Sequence, residues 1–299
     1  MFRNVLVGVD RHLDDRDAVA LAKRLVARDG KLTLVHVHQG DPRLWRASTR
    51  EYETIEQRRA LELLTAARDQ ARLSADLRYV ESSSAGRGLH ELAEAIGADL
   101  LVVGSSGRGL LGRVLLADDT REALNGAPCA VAIAPSGYAL KPVSMRAIGV
   151  AYDGSAESEH AVSVARVLAG ELGARLSACE AIALPVYTFL GGPVPIDDVV
   201  EDLVEQAQKR IAALGGIEPH AVYGNVVEEL ALYSASLDLL IVGSRGYGPV
   251  GRLVHGSTSS QLARTARSPL LVLPRAATEP DLEPAPALEP SAARHAHSA

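Results

Sequence analysis

The chain repeats itself. One apolar run, Ala98-Asp99-Leu100-Leu101-Val102-Val103, leads into Gly104-Ser105-Ser106-Gly107, and a second, Leu237-Asp238-Leu239-Leu240-Ile241-Val242, leads into Gly243-Ser244-Arg245-Gly246. Gly104 and Gly243 stand 139 residues apart, as do Pro135 and Pro274; Asp10 and Asp153 follow two further apolar runs at an offset of 143. This constrains the fold more than any single motif. Each copy has the ordinary domain size of about 100–150 residues and can bury its own core. We divide the chain into units at 1–141 and 142–275, joined near Lys141-Pro142-Val143-Ser144.

Each unit reads as strands and helices in alternation, five strands and four helices. In the second, the pattern predicts strands near 147–153, 175–183, 219–223, 238–243 and 269–273, and helices near 156–172, 198–214, 226–236 and 257–267. Apolar strands alternating with helices argue an α/β fold: two tandem, Rossmann-like, doubly wound parallel sheets. Ligands of such sheets sit outside the carboxyl ends of the strands, where the strand order reverses. Asp153 and the glycine loop both lie at carboxyl ends, so they are placed in one site. Residues 276–299, with Pro280, Pro284, Pro286 and Pro290 and no apolar period, are expected to be a disordered tail.

The second glycine loop has the form of a phosphate cradle. Gly243-x-x-Gly246 is followed, after nine residues, by Gly256-Ser257-Thr258 and a short helical stretch that Ser257 can cap. Glycines let backbone approach an anion closely, and a helix start directs unpaired N–H groups at it. In the first unit Ala117-Asp118, then Asp119, stand where Gly256-Ser257-Thr258 stand in the second. Two unit charges about 4 Å apart repel by roughly 4 kcal/mol at an effective dielectric of about 20. A helix-terminus contact returns only about 0.3–2 kcal/mol. The first copy is therefore not expected to hold a triphosphate in the same pose.

These residues carry a resemblance. Gly-x-x-Gly-(nine)-Gly-Ser, late in a five-strand unit, together with Val150-Ala151-Tyr152-Asp153-Gly154-Ser155 at the first strand, resembles the ATP-binding universal stress protein family in its tandem arrangement. The similarity covers both units and leaves only the tail outside. It implies ATP as cofactor, with Mg²⁺ as an optional companion. It would set Asp153 near the ribose and any divalent metal, and Ala151 and Val242 beside the adenine and ribose. Gly243, Gly246, Gly256, Ser257 and Thr258 would hold the phosphates. In the first unit Asp10, Gly104 and Gly107 match, whereas Arg11-His12 and Ala117-Asp118 each replace a Gly-Ser pair. The resemblance also implies that Cys129–Ala134 and Leu270–Leu273 pair, making a pseudo-dimer within one chain; a homodimer of chains stays open.

Other patterns compete. Gly246-Tyr247-Gly248-Pro249-Val250-Gly251 spells a dinucleotide fingerprint, as does Gly107 to Gly112, but both follow a fourth strand rather than a first. Twenty residues past Gly251 stands Leu271, not an acid, so NAD binding is set aside. No Gly-x-x-x-x-Gly-Lys-Ser/Thr is present. Asp153 also suits an ordinary strand-to-helix turn capped by Ser155, a role compatible with a ribose contact. His36 and His38 share one strand face without further metal ligands at a suitable spacing and are read as packed or half-exposed. Arg245, Arg252 and His255 face either phosphate or solvent. The Gly/Pro-marked segment 184–195 is a lid, a subunit contact or plain irregular structure. His295 and His297 are read as parts of a solvated tail.

A net charge of −6 argues against a general nucleic-acid binder. With no long apolar stretch and no signal peptide, no membrane partner and a cytoplasmic location are expected. The two cysteines, Cys129 and Cys179, fall in predicted strands as buried free thiols. Three functions fit: an ATP-binding stress-response regulator, a slow ATP hydrolase or nucleotidyl-transfer enzyme with Asp153 on Mg²⁺, and a ligand-free scaffold. No general base, catalytic lysine or nucleophile constellation stands out beside the cradle, so fast chemistry is not required. The intact second motif argues against complete decay.

Overall fold

Two aspartates begin the same piece of structure in both halves of the chain. The Asp99 carboxylate accepts the backbone N–H of Arg3 at 2.7 Å and of Asn4 at 2.9 Å. Asp238 accepts from Arg146 at 2.7 Å and Ala147 at 3.0 Å. Each clamps the amino end of a half's first strand to the amino end of its fourth. This satisfies N–H groups that the ladder leaves unpaired there. The computed structural model describes residues 1–10, 15–40, 50–105, 118–141, 144–183, 196–244 and 257–274.

In the first half the elements are β1 (Phe2–Gly8), α1 (Asp15–Leu25), β2 (Val26–Gln39), α2 (Arg50–Ala71), β3 (Asp76–Ser82), α3 (Ala85–Ile96), β4 (Leu100–Gly104), α4 (Asp118–Leu124) and β5 (Ala130–Ala134). A 3₁₀ turn at Tyr138–Leu140 follows. The second half contains β6 (Ala147–Ala151), α5 (Ala156–Leu172), β7 (Arg175–Ile182), α6 (Ile196–Ala213), β8 (Glu218–Tyr223), α7 (Val226–Ser234), β9 (Leu239–Gly243), α8 (Ser257–Thr265) and β10 (Leu270–Leu273). These elements lie close to the pattern read from the sequence. One boundary is corrected: β6 stops at Ala151, so Asp153 lies in the turn beyond it. Cys129 likewise sits just before β5 rather than within it.

The strands form one ten-stranded sheet in the order β3-β2-β1-β4-β5-β10-β9-β6-β7-β8. Neighbours run parallel except at the centre, where β5 and β10 are antiparallel with Leu270 opposite Ile133, Leu271 opposite Ala132 and Val272 opposite Val131. Both strands are buried on both faces. Left as edges they would be adhesive, and each covers the other. The pseudo-dimer of last strands is thus present within the chain. One apolar cluster lies on each face of the sheet, and each draws on both halves. Val5, Leu34 and Leu64 join Ile148, Leu168 and Ile241 on one face. Leu89, Leu101 and Cys129 join Leu230, Leu240 and Leu262 on the other. Asp17 of α1 fastens the crossing between halves, its carboxylate accepting from Gly137 and Ala139 at 2.7 and 2.5 Å.

Both thiols are buried and unpaired as disulfides. Burial, reinforced by Asp99, pushes Cys129 up to about 12. Burial, then Glu229 and Glu180, does the same to Cys179. Near neutral pH, iodoacetamide should leave both thiols unmodified in the native protein and modify both in denaturant, as read by intact mass. Because the folded-state values are raised above the ordinary 9.0, their contribution to stability is intact below about pH 9 and is lost as the pH rises toward about 12. The melting temperature should fall across that window.

Candidate functional site

The reversal of strand order in the second half lies between β6 and β9, which pair in parallel through Ile148–Leu239, Gly149–Leu240 and Val150–Ile241. The chain leaves β6 toward β7 and β8 on one side, then returns to β9 and β10 on the other. Carboxyl ends of adjacent strands diverge at such a point and leave a crevice. Ala151, half-buried, ends β6; Val242, buried, and Gly243 end β9.

Asp153 follows at the rim and is exposed. Its Oδ1 accepts the Ser155 N–H at 3.0 Å and the Ser155 hydroxyl. Ser155 caps α5, its Oγ accepting the Ser158 N–H at 3.3 Å. The Ser158 hydroxyl in turn donates to the Ser155 carbonyl at 2.8 Å. Gly154 makes the turn possible with φ of 74°, a backbone region costly for residues bearing a side chain. The capping role read from the sequence for Ser155 is therefore present, and Asp153 orients that cap.

Gly243 has a structural reason beyond ligand approach. A Cβ there would stand 2.7 Å from the Glu157 carbonyl oxygen and 2.8 Å from its carbon. Only glycine lets the first turn of α5 close over the end of β9, which brings the Asp153 turn beside Gly243. Ser244 is buried beyond it, its N–H donating to Leu273 O at 3.0 Å. Ser257 opens α8 and Thr258, half-buried, follows. Gly246 and Gly256 lie outside the described residues, as do Arg245, Arg252, His255, the 184–195 segment and the tail. In the first half, Thr120 of α4 donates to the Gly104 carbonyl at 3.0 Å. That bond sets a helix beginning at Asp118 against the end of β4.

Sequence reasoning missed a polar group beside this rim. Arg210 of α6 donates to Glu180 of β7 at 2.7 Å, while the second Glu180 oxygen is buried without a hydrogen-bond partner among the described residues. Burial, then Glu159 and Glu180, raise the neighbouring Tyr152 phenol, against Arg210. An alternating strand pattern gives no signal for such a pair. The histidine pair resolves as packing: His36 is buried with Nδ1 2.9 Å from Val9 O, and His38 stacks on Tyr79 at 6.2 Å. No group of three or more metal-ligating side chains occurs among the described residues. Nor is any described helix long and apolar enough to cross a membrane.

With the site in view, the comparisons with known proteins are specific. The universal stress protein family profile matches residues 1–135 and again 145–274. A universal stress protein of Mycobacterium tuberculosis is 32% identical over 182 residues, which is 58% of this chain and 61% of that protein, so the match spans under two thirds of that relative. A Thermus aquaticus universal stress protein is 33% identical over 136 residues, 43% of this chain and 98% of its own length. One from Mycolicibacterium smegmatis aligns at 27% identity over 90% of this chain and 96% of its own. Among solved structures, a universal stress protein from Archaeoglobus fulgidus superposes with a TM-score of 0.64 at 16% identity, covering 91% of this chain and 98% of that one, a likeness of fold. Matched twice along its length and built as two parallel-sheet halves, the chain belongs to the universal stress protein family and carries two of its domains in tandem.

Proposed function

We propose that the second unit, 142–275, binds one ATP per chain and that the protein acts as an ATP-binding stress-response regulator. The observation that supports this reading lies at the β6–β9 reversal: Gly243 ends β9 against the first turn of α5, which follows the Asp153 turn, and α8 starts at Ser257, between β9 and β10 in the chain. Adenine and ribose lie against Ala151 and Val242. Gly243, Gly246, Gly256, Ser257 and Thr258 hold the phosphates.

The donor set also fits Mg²⁺. Asp153 supplies one exposed carboxylate, and Mg²⁺ is ordinarily held by one or two carboxylates together with substrate phosphates. Glu157 and Glu159 add negative charge in the first turn of α5. Phosphates passing that side need a cation between. In the first unit Arg11 replaces the glycine of the turn. The φ that Gly154 adopts would cost a residue with a Cβ about 1–2 kcal/mol. Asp118 opens α4 where phosphate would sit. The stoichiometry is therefore one.

Calorimetric titration with ATP, together with mass spectrometry of the small molecule released on denaturation, tests the reading. A single site and a released adenine nucleotide are expected; two equivalent sites would overturn it. Asp153→Ala should weaken Mg-ATP binding by about 1.5–3 kcal/mol, the worth of a charge-assisted hydrogen bond, with a smaller effect when Mg²⁺ is chelated. Equal affinities in parent and variant would leave Asp153 as a turn residue only.

A further inference from the structure

A second depression, away from the nucleotide rim, gathers arginines from both halves of the chain. It has a volume of about 750 Å³ and is lined by residues that precede β1 and β6, among them Met1 and Arg146. Arg24 comes from the last turn of α1, Arg28 from β2, Arg146 from the residue before β6, and Arg175 from the start of β7. Arg28, Arg146 and Arg175 are exposed and Arg24 is half-buried. None of the four guanidinium groups makes an ion pair or side-chain hydrogen bond among the described residues.

The opposing charge nearby is small and already engaged. Glu171 lines the depression but is held by the Met1 amino group. Asp238 lies close by, with its carboxylate receiving the Arg146 and Ala147 N–H groups. Lys23, also on the wall, donates to the Ala71 carbonyl at 3.0 Å. The carbonyl end of α1 offsets part of the charge of Lys23 and Arg24.

We propose that this seam is a binding site for a compact polyphosphate anion, one carrying two or more linked phosphate groups. The chain as a whole carries −6, so a cluster of unpaired guanidinium groups in one depression is a local inversion of its field. Guanidinium forks match phosphate oxygens two at a time, which a scatter of lysines would not do. A long polyanion would meet the repulsion of the acidic remainder of the surface, whereas a compact one fills the depression and neutralises it. Because Arg24 and Arg28 belong to the first half and Arg146 and Arg175 to the second, an anion there links the two halves. The inference does not depend on the nucleotide reading.

The test is calorimetric titration of the full chain with sodium tripolyphosphate, at low and high salt. It is run in the Gly256→Asp background so that the glycine loop does not compete. Binding that weakens with salt is expected. Adding Arg28→Ala with Arg175→Ala should reduce affinity tenfold or more without moving the melting temperature, since neither side chain has a hydrogen-bond or ion-pair partner among the described residues. Replacing both by lysine should restore part of it. The glycine-loop ATP site of the Arg28→Ala, Arg175→Ala chain with Gly256 intact should keep the parent's affinity, so a failed seam and a failed nucleotide site read differently. Absence of tripolyphosphate binding in the Gly256→Asp chain, or undiminished binding after both arginines are removed, would overturn the proposal.

Discussion

Gly256→Asp should abolish ATP binding at the glycine loop of the second unit and leave the fold intact. α8 begins at Ser257, so residue 256 immediately precedes the helix start whose free N–H groups are proposed to meet the phosphates. Aspartate is itself a good residue at a helix start, so the helix should form as before. The new carboxylate opposes the phosphates by roughly 4 kcal/mol at about 4 Å and an effective dielectric of about 20, about a thousandfold in Kd. In the first half a carboxylate stands one position later, at Asp118, which opens α4 and is the counterpart of Ser257. Calorimetry with ATP and circular dichroism on the same sample check the two parts separately. Full affinity with an unchanged spectrum would mean that the nucleotide does not lie against the start of α8.

Leu271→Asp should prevent either half from reaching its native stability. Leu271 is fully buried on β10, opposite Ala132 of β5 and Ile241 of β9, and belongs to a cluster shared by both halves. An unpaired carboxylate there has neither water nor a counter-ion, which places the substitution in the rare class costing more than about 4–5 kcal/mol. Burial would raise its folded-state pKa above the ordinary value of about 3.9. The unfolded chain then holds fewer protons than the folded one, so the variant loses stability as pH rises above about 4 and is least impaired in acid. Leu271→Ala, losing only packing, should cost about 2–5 kcal/mol and remain folded for comparison. Denaturant unfolding followed by circular dichroism measures both. A Leu271→Asp curve superimposable on the parent's would remove β10 from the centre of the sheet.

What was legible beforehand follows from the range of the forces involved. Leu239–Gly243 and Leu270–Leu273 are read as strands because unbroken apolar runs bounded by turn residues report burial on both faces. α5 is read closely because Ser155 caps it within its own turn. The apolar pattern extends past the end of β6 because Tyr152 is apolar enough to continue the run. The turn that ends it depends on the Asp153–Ser155 hydrogen bonds and the φ of Gly154.

The sequence by itself determined that the chain is two α/β units and which of the two copies keeps Gly-Ser after the glycine loop, since these rest on local periodicity and on comparing two copies in one chain; the pairing of the last strands was implied by the family resemblance. Tertiary structure alone decided why Gly243 must be glycine, because the obstacle is the Glu157 backbone on another element. It also decided that Glu180 meets Arg210 across 30 residues, and that Arg28 and Arg175 line one depression although far apart in the chain. Periodicity records which face of an element is apolar; it carries no information about which polar residues of distant elements will meet, because that is set by the pairing order of the sheet and the closing of β5 on β10.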